Sequence, residues 1–189
     1  MSKKKKIKLL LCLISLAVFT FACQVPFIRK ATCPIGNLLI DSANLPGDQW
    51  EEVGSRSYRD APSKVGIDRI GTSFSTPTNG VVIEDIYRFR SVQDTQDGYN
   101  ELAKDWFGLE PEGTTWTKLE ISHDVSLNAK EYHLECSVRP NQKVRSCWYI
   151  SRYENTVIQL KADMLIITDV DLFKIVGLVD QKVMKCSET

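Results

Sequence analysis

The sequence predicts an α+β domain: one twisted antiparallel sheet with two main helices, at about 92–107 and 169–185, stabilised by disulfides. Three observations predict it. Segments of alternating apolar and polar residues flank one helical pattern, and a second helical pattern closes the chain. Short turn signals join the strands, as antiparallel hairpins require and parallel crossovers do not. Cys33, Cys136, Cys147 and Cys186 all fall inside this region.

Cys33 opens the domain. Leu38, Leu39, Ile40 and Leu45 form an apolar stretch that stops at the turn signal Pro46-Gly47. Trp50 and Val53 begin a strand, whereas polar 55–64, with Pro62, reads as a loop. Residues 67–75 read as the second strand. Asn79-Gly80 is a hairpin turn signal, because both residues tolerate positive φ, so 68–75 pairs with 81–90 across it. Ser91 is the N-cap of a helix, with Asp94 in a capping-box position. Tyr99, Leu102, Ala103, Trp106 and Phe107 then recur at i, i+3, i+4, i+7, i+8, one apolar face that reads as core. Gly108 and Pro111 end the helix. A shorter strand covers 114–121, and His123-Asp124 begins a turn-rich stretch reaching Asn128.

Residues 131–163 read as three antiparallel strands, with turns at Pro140-Asn141-Gln142-Lys143 and Glu154-Asn155. If the first turn centres between Asn141 and Gln142, Cys136 lies opposite Cys147, within disulfide reach. A slip of one residue would part the thiols. The same register puts Tyr132, Leu134, Cys136, Val138, Tyr149, Ile158, Leu160 and Ala162 on a core face. His133, Glu135, Trp148, Ile150, Arg152, Val157, Gln159 and Lys161 share the other. Thr168 caps the last helix, with Asp169 and Asp171 at its positive end. Two apolar stripes follow, one through Val170, Phe173, Val176 and Asp180, the other through Leu172, Ile175, Val179 and Val183. Four cysteines allow three connectivities; the hairpin register favours Cys136–Cys147 with Cys33–Cys186.

The first residues set the compartment. Lys3, Lys4, Lys5, Lys6 and Lys8 precede an uncharged run at 9–22, shorter than the roughly 20 residues of a bilayer span. Cys23 follows Thr20-Phe21-Ala22. This resembles the signal of bacterial lipoproteins, in which a diacylglycerol joins the cysteine thiol and that residue becomes the N-terminus. Ala22 fits that pattern; Thr20 and Phe21 depart from it. Three readings stay open: a signal peptide at 1–22 with lipidated Cys23 and a tether at 23–32, a cleaved and secreted chain, or an uncleaved anchor lengthened by Val25, Pro26, Phe27 and Ile28. All place residues 33–189 outside the cytoplasm, at the membrane's extracytoplasmic face when the lipid or anchor holds. Lipid on Cys23 would leave an even four cysteines for an oxidising compartment.

Charge narrows the partners. Of 24 basic and 24 acidic side chains, the leader takes five basic and no acidic ones. The remainder carries 19 against 24, so nucleic acid is not an expected partner. No HExxH, GxSxG or Gly-rich phosphate loop is present, SxxK occurs only as Ser2–Lys5 within the leader, and no metal or cofactor is expected. The adjacent carboxylates Glu51-Glu52 and Glu84-Asp85 point to opposite strand faces, which suits solvation better than acid–base work.

The mixed sheet face is the remaining candidate. Trp148, Ile150, Arg152, His133 and Glu135 have the composition of a contact patch, for an envelope protein, a glycan or a small ligand. Alternatively a helix covers this face and Trp148 is core. Cys147, Asn155, the Val157-Ile158 strand and the terminal helix are similar to the extracellular sensor domains of some mycobacterial serine/threonine kinases. That resemblance spans about 40 residues and implies a two-disulfide, sensor-like fold. The expected function is a membrane-anchored, non-enzymatic binding or interaction module of the cell envelope. The alternatives are an envelope hydrolase and a carrier of apolar ligands.

Overall fold

The computed structural model describes residues 33–47, 49–58, 68–78, 80–107, 115–118, 127–138, 145–163 and 168–187. Seven strands form one open antiparallel sheet: β1 (Glu51–Tyr58), β2 (Asp68–Ser75), β3 (Val81–Arg88), β4 (Thr115–Lys118), β5 (Glu131–Val138), β6 (Arg145–Arg152) and β7 (Thr156–Asp163). Their order is β1-β2-β3-β7-β6-β5-β4. Two α-helices, α1 (Val92–Phe107) and α2 (Asp169–Ser187), pack on opposite faces. Two single 3-10 turns, Ile35–Leu38 and Ser42–Asn44, precede the sheet. The expected α+β architecture is the observed one. No helix among the described residues is long and apolar enough to cross a membrane.

β7 slots between β3 and β6, so its residues meet helices on both sides. Val157, Ile158, Gln159 and Leu160 are all buried, as a doubly covered central strand demands. The hairpin register is the expected one: Cys136 pairs with Cys147, and Cys147 with Ala162. Both disulfides form, Cys136–Cys147 with Cα atoms 4.0 Å apart and Cys33–Cys186 with Cα atoms 5.5 Å apart.

Leu134, Tyr149, Ile158, Leu160 and Ala162 pack against Leu172, Ile175, Val176, Val179 and Val183 of α2 as the main core. Tyr132 lies at the margin of that face, 43% exposed, and Val170 projects to solvent at the start of α2. The buried side of α2 thus takes the whole second stripe together with Val176 of the first. Asp180 is buried too, because the Asn128 backbone N–H (2.8 Å), the Asn128 side-chain amide (2.8 Å) and the Tyr153 hydroxyl (3.1 Å) all donate to it. The Thr168 cap forms: the Asp171 N–H donates to Thr168 Oγ1 at 3.2 Å, and the Thr168 hydroxyl donates to the Asp171 carboxylate at 2.6 Å. That bond from the Thr168 side chain holds Asp171 below the usual carboxylate pKa.

Three expectations are corrected. β1 runs on to Tyr58 where a loop was expected, because an edge strand needs only backbone pairing with β2 and no apolar alternation. Residues 59–67, including Pro62, lie outside the described residues. The β2–β3 pairing is as expected, but Ser75 pairs with Val81 and the Thr76 N–H donates to Gly80 O at 3.0 Å. The turn therefore spans more than Asn79-Gly80, and Asn79 itself lies outside the described residues. Finally, Glu84 is not solvated but fully buried, facing the main core.

Candidate functional site

The candidate face is the side of the sheet that carries α1. Ser91 starts this helix by accepting the Asp94 N–H at 3.0 Å. Tyr99 and Leu102 bury themselves against Tyr87, Phe89, Ile150 and Val157, with Ala103 and Phe107 alongside. Gly98 sets the approach, since a Cβ there would come within 2.3 Å of the Phe89 ring. A close helix lets the bulky side chains at its C-terminal end reach β5 and β6.

All five proposed contact residues lie on this face. Their roles divide. Ile150 is 0% exposed beneath α1, so it is core and cannot serve as contact surface. Arg152 keeps only 13% of its side chain exposed and pairs with Glu131 at 3.4 Å. Trp148, His133 and Glu135 are half-buried. Trp148 meets Trp106 edge-on, ring centroids 5.1 Å apart and planes at 61°. The His133 ring lies 4.3 Å from that of Phe107, and its Nε2 is 2.8 Å from Glu135 Oε1.

Other residues join these without having been singled out. Lys161, paired with Trp148 across the β6–β7 ladder, places its ammonium 6.0 Å from the Trp148 ring centroid and 3.9 Å from Asp163. Further along the face, Arg69 pairs with Asp85 at 3.0 Å and sits 5.1 Å above the Tyr87 ring. The Tyr87 hydroxyl donates to Gln159 Oε1 at 3.1 Å, and burial pushes its pKa up to about 12. Register shows that Lys161 shares the Trp148 side. Trp106 carries no such signal, because a helix's apolar stripe does not say which sheet face it covers.

Among the described residues no group of His, Cys, Asp and Glu is arranged to hold a metal ion. Cys23 and His123 lie outside the described residues. The arrangement at Trp148 offers aromatic surface bordered by hydrogen-bond donors and acceptors, the makeup of a binding site.

No protein-family model matches the chain, and no curated protein matches it. Among solved structures it is similar to the extracellular domain of PknH from Mycobacterium tuberculosis, with a TM-score of 0.58 and 11% identity. The likeness covers 83% of this chain and 97% of that one, far more than the C-terminal residues alone. At that identity the two chains share a fold.

Proposed function

We propose that this chain is a membrane-anchored, extracytoplasmic, non-enzymatic binding module of the cell envelope, held by a lipid on Cys23. Its ligand meets the face around Trp148. The observation that carries this reading is the half-exposed Trp106–Trp148 pair beside the His133–Glu135 and Lys161–Asp163 pairs. Large aromatic surface next to fixed polar groups is what binding sites concentrate. Two disulfides support an oxidising compartment, and the shared fold is that of an extracellular domain.

The test replaces Trp148 with the photo-crosslinking residue p-benzoylphenylalanine in the full chain and irradiates intact cells. A matched chain carries the same residue at Val53, which is exposed on the edge strand β1. An adduct formed from position 148 and not from 53 is the expected result. Equal labelling at the two positions, or none at 148, would remove the binding face.

A further inference from the structure

The chemistry of the Trp148 face says more about the ligand than that one binds. Glu135 and Lys161 stand on either side of Trp148 in the sheet, each directly paired with it. Glu135 is oriented by His133 at 2.8 Å, and Lys161 lies 3.9 Å from Asp163. These four side chains each keep between 20% and 33% of their surface in solvent. Trp106 closes one side of Trp148 edge-on and is itself half-buried.

Four ligand classes can be weighed against these groups. An anion such as a phosphate finds one lysine here, beside two carboxylates, and so no net positive charge. A free cation is repelled by the like charge of the Lys161 ammonium, 6.0 Å from the Trp148 ring centroid. An extended peptide adds to a sheet through an unpaired edge, whereas the β6 backbone is bonded by β5 on one side and β7 on the other. A protein partner needs roughly 800 Å² on its side of a stable interface, and α1 already occupies the other half of this face. A neutral, hydroxyl-rich ring meets no such obstacle. Its apolar C–H face lies on indole, while neighbouring hydroxyls pair with a carboxylate as acceptor and an ammonium or imidazole as donor.

We infer that the Trp106–Trp148 pair, with Glu135, His133, Lys161 and Asp163, is a subsite for a neutral hexopyranose glycan. The inference rests on the binding face proposed above and names its ligand class. The site recognises one or two sugar rings by stacking and by oriented hydrogen bonds.

The full chain in detergent micelles is titrated with neutral trisaccharides (maltotriose, mannotriose and triacetylchitotriose), with a phosphorylated trisaccharide and a tripeptide for comparison, following tryptophan emission. Saturable binding of a neutral trisaccharide is expected, weakened about tenfold or more by Trp148→Ala and by Glu135→Gln. Circular dichroism of both variants verifies the fold, and Glu135→Gln keeps the side-chain volume. No saturable response to any neutral trisaccharide at millimolar concentration, or equal affinity in the variants, overturns the glycan assignment. In that event a ligand adduct at position 148 would leave the binding face standing with another ligand class, and its absence would remove both.

Discussion

Glu84 accepts a 2.8 Å hydrogen bond from the Ile40 backbone N–H in the interior of the domain, between the N-terminal segment and β3. Its second oxygen has no hydrogen-bond partner among the described residues. Burial pushes this carboxyl up to about 8, and neither the Ile40 bond nor nearby Lys182 offsets it. Lys182 instead donates to the Leu39 carbonyl and lies 3.8 Å from Asp41. The segment following Cys33 is thus fastened to the domain by a neutral acid, a lysine and the disulfide to α2.

That acid predicts a pH dependence of stability. The folded protein holds the Glu84 proton up to about pH 8, whereas an unfolded chain releases it near 4.5. Between these values the folded state binds more protons, so this group's contribution is full below about 4.5 and falls as pH rises to 8. The slope from this group reaches about 1.4 kcal/mol per pH unit. Glu84→Gln cannot ionise. Urea unfolding from pH 5 to 8.5 should show the variant gaining stability over wild type with rising pH. A difference that does not change with pH would show that Glu84 ionises freely in the folded state.

The two disulfides are predicted to contribute unequally. Cys33–Cys186 spans a sequence separation of 153 and Cys136–Cys147 one of 11. In the chain-entropy account the first stabilises by about 5 kcal/mol and the second by ~2–3 kcal/mol. Paired cysteine-to-alanine variants, compared by equilibrium denaturation, should rank in that order. A larger loss from the hairpin pair would mean that the ends are held mainly by packing.

Gly98→Ala is predicted to destabilise. In an exposed helix interior this change gains about 1 kcal/mol. Here the added Cβ meets the buried Phe89 ring at 2.3 Å, and overpacking of this kind costs about 1–3 kcal/mol. Adding Phe89→Leu should recover part of the loss. A single variant more stable than wild type would show that α1 can back away from the sheet freely.

Much of the fold is legible because its signals are local. Ser91 and Thr168 sit at helix starts with acids three residues on, and the 131–163 strands carry both turn residues and a period of two. Their register also brought Cys136 opposite Cys147. What sequence does not carry is long-range placement. β3 and β7 are neighbours although some seventy positions apart, and nothing near either announces it. The docking of α1 is the same kind of fact: its stripe was plain, its target was not, so Ile150 read as contact surface when it is core. Glu84 reads as solvated for a related reason, since a charged residue in a strand signals solvent until the N-terminal segment folds over it.

A lipid on Cys23 and disulfides formed in an oxidising compartment both require export before folding. Intact-mass spectrometry of the protein extracted from membranes tests this directly. The predicted species begins at Cys23, carries the added lipid, and gains four hydrogen atoms on reduction as two disulfides open. A full-length product in the cytosol, retaining Met1 and with every cysteine already reduced, would contradict it.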